Sequence, residues 1–146
     1  MLQINRQTDY AIRVVLALAK QPSNERLSSS TIGKEMLIPN AFLSRIVAQL
    51  AQAKLIITYP GRNGGLELAR PANEISLKDI VQLLEGPLML SECMAGELAC
   101  PFEGGCVVRK RWVRLQNIIL EELDRTKFSE LAAEANPDQL LKSLFN

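Results

Sequence analysis

A chain of 146 residues is one domain by size, and long enough to bury a core. Its apolar content of 47% and charged content of 23% are ordinary for a globular protein, and no apolar run is long enough to cross a bilayer. The net charge of +1 conceals an asymmetry: residues 1–70 hold nine Lys/Arg against four Asp/Glu, whereas residues 71–146 hold eight against twelve. A basic first half beside an acidic second half points to a polyanionic partner for the first.

The chain opens with a helical pattern. Tyr10, Ala11, Val14, Val15, Leu18 and Ala19 recur on one apolar face, with Thr8 as the expected cap. Gln21-Pro22-Ser23-Asn24 ends it, and the Ser28-Ser29-Ser30 cluster starts a short second helix containing Ile32 and Met36. Pro39-Asn40 opens a third helix, in which Phe42, Leu43, Ile46, Val47 and Leu50 are the expected inward positions. Leu55 to Tyr59 is a β-branched run of strand length. The turn-rich Pro60-Gly61-Arg62-Asn63-Gly64-Gly65 follows, and Leu66-Glu67-Leu68-Ala69 pairs back as a second strand. Ser76-Leu77-Lys78-Asp79 caps a fourth helix that Gly86-Pro87 stops. A loop over 87–106 precedes a long helix from about Cys106 to Thr126, a short helical piece from Phe128 to Ala135, then Pro137 and a leucine-rich tail.

This order predicts a mainly α protein with a small β-hairpin: a winged helix-turn-helix plus a long dimerisation helix. The DNA major groove admits one α-helix, whose N-terminal residues reach base edges. Here those residues are Asn40, Ala41, Ser44 and Arg45, set between the inward apolar positions. The hairpin tip offers Gly61, Arg62, Asn63 and Gly64, and an arginine on such a stalk suits a minor groove. The competing readings are a protein-interaction helix and a solvated turn arginine. In the long helix, Val108, Trp112, Leu115, Ile119 and Leu123 form a stripe suited to pairing with a second copy. A homodimer would set two recognition helices about one DNA turn apart on a palindromic operator in double-stranded DNA. The expected division is residues 1–86 for DNA binding, 87–106 for the cysteine loop, and 107–146 for dimerisation and the tail.

Three cysteines, Cys93, Cys100 and Cys106, are spaced C-x6-C-x5-C, and there is no histidine. A structural zinc site ordinarily takes four sulfur or nitrogen ligands. Three thiolates and one weaker position suit a reactive iron–sulfur cluster. A zinc-stabilised regulator and a metal-free thiol redox sensor stay open as alternatives. An odd cysteine count argues against a disulfide framework, and the N-terminus lacks the pattern of a signal peptide, so a cytoplasmic protein with no membrane partner is expected. No histidine base, nucleophile elbow or phosphate loop is present, so an enzyme is not expected.

Several stretches carry a family resemblance: Gln7-Thr8-Asp9-Tyr10-Ala11-Ile12-Arg13, Gly61-Arg62-Asn63-Gly64-Gly65-Leu66, Leu68 to Leu77, and the three spaced cysteines. With these, nearly the whole chain resembles the winged-helix iron–sulfur transcription regulators of the IscR, NsrR and RirA kind. Ser91-Glu92-Cys93 and Ala99-Cys100-Pro101 look closest to the NsrR and RirA branch. The resemblance implies a dimeric, palindrome-binding regulator, typically a repressor, whose cluster state sets its DNA affinity. It implies Cys93, Cys100 and Cys106 as ligands of a [4Fe–4S] cluster, favoured over [2Fe–2S]. The histidine that IscR-like members use as fourth ligand is missing; Asp9 matches the aspartate that some NsrR-like members donate from the partner subunit. For Asp9, the alternative is stabilisation of the first helical turn. Nitric oxide, iron or redox state is the implied signal.

Overall fold

Six helices and one antiparallel hairpin make up the regular structure in a computed structural model, which describes residues 3–23, 25–96, 100–102 and 104–135. Asn24, Ala99 and the leucine-rich tail after Pro137 lie outside these residues.

Helix α1 (Arg6–Ala19) buries Tyr10, Ala11, Val14, Val15, Ala17 and Leu18, the face its 3.6-residue period defines. Asn5, and not Thr8, is its cap: Asn5 Oδ1 accepts from the Thr8 backbone N–H at 2.9 Å. Thr8 is fully buried, and its hydroxyl donates to Glu85 Oε1 at 2.6 Å. The sequence expectation failed because Thr8 is held by a residue 77 positions away, which local capping patterns do not register.

Helix α2 (Ser29–Glu35) starts at Ser28, whose Oγ accepts from Thr31 N–H at 3.0 Å. The turn to α3 (Asn40–Gln52) passes through Leu37 at φ 54°, a left-handed conformation unusual for leucine. In α3, Leu43, Ile46 and Leu50 are buried, and Val47 packs at the core's margin. Phe42 departs from expectation: its ring is 38% exposed and meets Tyr10 edge-on, with centroids 5.3 Å apart. It therefore braces the first turn of α3 from the side instead of anchoring it from beneath.

Strands β1 (Ile56–Tyr59) and β2 (Gly65–Leu68) pair antiparallel from Ile56↔Leu68 to Tyr59↔Gly65. Leu27 lies along the other edge of β2 and exchanges two backbone hydrogen bonds with Leu66, at 3.1 and 2.7 Å. The hairpin is thereby fixed to the domain on two sides.

Helix α4 (Leu77–Glu85) begins with a reciprocal capping box between Ser76 and Asp79. A short 3₁₀ turn over Glu92–Met94 interrupts the following loop. Helix α5 (Val107–Arg125) contains no buried residue among its 19. The chain then returns to the core through α6 (Phe128–Glu134). Phe128 is fully buried, its N–H donates to Ile75 O at 3.0 Å, and Leu77 N–H donates to Thr126 O at 3.0 Å. Phe128 thus completes a core otherwise drawn from helices α1, α3 and α4, Ile32 of α2, the hairpin and the adjoining turns, although it falls within segment 107–146.

Candidate nucleic-acid interface and cysteine site

The second helix of the helix-turn-helix presents Asn40, Ala41, Ser44 and Arg45 to solvent, because Leu43, Ile46 and Leu50 take the inward face. Those four residues share the exposed N-terminal face of α3. At the hairpin tip, Gly61, Arg62 and Asn63 are exposed. Gly61 sits at φ 91°, and a Cβ on Gly64 would overlap the Tyr59 carbonyl oxygen, so the tight tip needs glycine at both positions. A Gly64 N–H to Gly61 O bond at 3.1 Å closes it.

Below the tip lies a cluster that periodicity and turn signals did not reveal. Tyr59 Oη donates to Glu67 Oε1 at 2.6 Å, and the Arg26 guanidinium lies 3.4 Å over the Tyr59 ring. Arg26 Nε is also 3.7 Å from Glu67 Oε2. The hydrogen bond to Glu67 is the main cause holding the Tyr59 phenol above its ordinary pKa, with burial adding to it. The one hint in the sequence is the pairing of an aromatic and an acid on facing strands; Arg26 enters only through the fold.

Asp9, in the first turn of α1, forms a salt bridge with Arg13 at 2.7 Å, and both side chains are partly exposed. Arg13 Nη1 also donates to Met36 O at 3.2 Å, where α2 ends and the helix-turn-helix turn begins. At the start of the same helix, Glu85 Oε1 accepts from Asn5 N–H at 2.9 Å and from the Thr8 hydroxyl. The Thr8 bond first, then the Asn5 N–H, lowers the Glu85 carboxyl below the usual glutamate pKa.

All three cysteines are free and half-buried. Cys93 lies in the 3₁₀ turn with Sγ 3.1 Å from Ser91 Oγ. Cys106 caps α5, its Sγ accepting from Arg109 N–H at 3.4 Å. Cys100 lies on the loop between them. Among the described residues no three His, Cys, Asp or Glu side chains are grouped closely enough to hold a metal ion, so Cys93, Cys100, Cys106 and Asp9 are not gathered into one site. The donor chemistry still suits an iron–sulfur group: three reduced thiols flank one loop in a chain without histidine. The loop is tied to α5 by Leu90 N–H donating to Gln116 Oε1 at 3.1 Å. On α5, Val108, Trp112 and Leu115 of the stripe are exposed and Ile119 and Leu123 half-buried, while Val107, Val113 and Ile118 outside the stripe are exposed as well.

Three helices, an outward-facing second helix of the pair and a glycine-tipped hairpin make a winged helix-turn-helix, the architecture of a class of DNA-binding transcription regulators. The family described as "Rrf2: Iron-dependent Transcriptional regulator" matches residues 4–134, and the chain belongs to it. A protein of Rhizobium meliloti, aau3, is 33% identical over 132 residues, covering 89% of this chain and 84% of that one. The HTH-type transcriptional regulator NsrR of Oceanobacillus iheyensis is 31% identical over 109 residues, covering 74% of each. The fold superposes on the global cysteine regulator CymR of B. subtilis with a TM-score of 0.77 at 25% identity, covering 93% of this chain and all of that one. Regulators of this family bind DNA and are dimeric, and the family includes iron–sulfur cluster regulators. Among the described residues, no helix is long and apolar enough to cross a membrane.

Proposed function

We propose that this chain is a homodimeric transcription repressor that reads a palindromic operator and responds to nitric oxide, iron or redox state. The observation that carries the sensing half is three free, half-buried cysteines on and beside one loop between α4 and α5, in a chain with no histidine. Cys93, Cys100 and Cys106 would hold an iron–sulfur cluster, [4Fe–4S] in preference to [2Fe–2S], with Asp9 supplied across the dimer as the fourth donor. Such a group, when bound, supplies an iron that reacts with nitric oxide or oxygen and is lost when iron is scarce.

The chain's own residues supply the rest. Asn40, Ala41, Ser44 and Arg45 read base edges: Asn40 suits adenine and Arg45 suits guanine, both by paired hydrogen bonds. Gly61 to Gly64 bring Arg62 and Asn63 to the adjacent minor groove. The exposed stripe of α5 pairs two copies and sets the spacing of their recognition helices. Asp9 is already partnered by Arg13, and Arg13 also holds the Met36 carbonyl. Drawing Asp9 toward another ligand frees Arg13 beside the helix-turn-helix turn, which gives the cysteine loop a route to the DNA-reading surface.

A second reading, a metal-free thiol regulator, is favoured by the separation of the three thiols and by the likeness to CymR. Iron and sulfide analysis of protein purified without oxygen, with its absorption spectrum, separates the two. Iron and sulfide in stoichiometric amounts support the cluster; their absence, with zinc absent too, leaves the thiol reading. Asp9→Ala then tests the fourth donor: the spectrum and the rate of reaction with nitric oxide change if Asp9 is a ligand, and stay as they were if it is not.

A further inference from the structure

We infer that Arg26, Tyr59 and Glu67 form a buckle that positions the wing tip for DNA, making them positioning residues for recognition although none lies at the tip. The inference rests on the wing's assignment to DNA.

The placement is the first argument. Tyr59 and Gly65 are the last register pair before the turn, so whatever holds Tyr59 fixes the base from which Arg62 and Asn63 project. Tyr59 is held on two sides, by the Glu67 carboxylate at its hydroxyl and the Arg26 guanidinium on its ring face. Arg26 comes from the segment joining α1 to α2. Next to it, Leu27 is bonded in both directions to Leu66. The buckle therefore ties the wing base to the body that carries α3. A two-stranded hairpin alone is marginally stable in water, so its orientation depends on such ties.

Charge is the second argument. Glu67 is an acid on a strand that must approach a phosphate backbone. Arg26 and the Tyr59 hydroxyl both engage that carboxylate, and this offsets the repulsion it would exert. The same geometry gives Arg26 a planar stacking role that lysine does not reproduce.

The test uses a duplex that the wild-type protein selects from a random-sequence pool, with affinity measured for single and double variants. Tyr59→Phe keeps the charges and removes one hydrogen bond to a carboxylate; it is expected to weaken binding about five- to ten-fold. Arg26→Lys keeps the charge and loses the stack, and is expected to weaken binding similarly. In an Arg62→Ala background the Tyr59→Phe loss should vanish, because a positioned group acts only through what it positions. A purely structural role would instead lower the melting temperature and persist in that background. If Arg62→Ala itself leaves affinity unchanged, the wing does not read DNA and the buckle falls with that assignment. If Arg62→Ala weakens binding while Tyr59→Phe does not, or if the two losses add in full, the wing reading stands and the buckle is refuted.

Discussion

The winged helix-turn-helix and the cysteine-bearing segment with α5 solve opposite problems. The first packs α1 to α4, the hairpin and α6 around one cluster of fully covered side chains, from Tyr10 to Ile80 and closed by Phe128. The second offers a 19-residue helix with no buried residue and three free, half-buried thiols on the loop and at the start of that helix. A 19-residue helix gains little from propensity alone and ordinarily depends on a packed face. The contrast teaches that one region is complete within a single chain, whereas the other leaves a helix face and three thiols uncovered, which is what the proposed pairing and cluster would use.

The largest effect that sharpens this contrast is at Phe128. Truncation to alanine should cost about 3–5 kcal/mol, read as a lower denaturation midpoint, because a fully buried ring leaves a cavity between α6 and α1. A loss under about 1 kcal/mol would show that α6 is not part of the core. On α5 the opposite outcome is expected. Trp112→Glu should change the stability of an isolated chain by less than about 0.5 kcal/mol, yet convert a dimer to monomers in sedimentation and weaken operator binding. An unchanged dimer would remove the α5 stripe as the pairing surface.

Smaller effects probe the joints. Ser76→Ala removes a capping box and one hydroxyl in the core's margin, and should cost about 1 kcal/mol in chemical denaturation. The smallest effect is electrostatic. Glu85 has a folded pKa below its unfolded value of about 4.3. Its bonds to Thr8 and Asn5 therefore stabilise the fold fully above that unfolded value, and the contribution is lost as pH falls through the depressed folded pKa. In Glu85→Gln this component of the acid dependence should disappear; an identical acid limb in both proteins would contradict the assignment.

Much of the winged helix-turn-helix was legible from the sequence. The 3.6-residue spacing of Leu43, Ile46 and Leu50 locates α3 and leaves Asn40, Ala41, Ser44 and Arg45 outward. The β-branched run at Ile56 and Ile57 and the glycines at 61, 64 and 65 mark the wing, and Ser76 with Asp79 marks the start of α4. What escaped depends on contacts between residues far apart in the chain. Thr8 looks like a cap until Glu85 claims its hydroxyl, and Phe128 looks like part of a tail until it enters the core beside Ile75. Arg26 reads as an ordinary loop cation, because its stacking partner lies 33 residues away by sequence. Spacing drew attention to the cysteines, but spacing carries no information on whether a loop gathers them, and the fold of one chain alone leaves them apart.

The most direct measurement is the ratio of operator affinities for protein loaded with iron and sulfide in the absence of oxygen and for the same protein without them. Coupling between the cysteine loop and the DNA-reading helix predicts a ratio of at least about five-fold, within the range of ~1–3 kcal/mol usual for linked sites. Equal affinity in the two forms would contradict it.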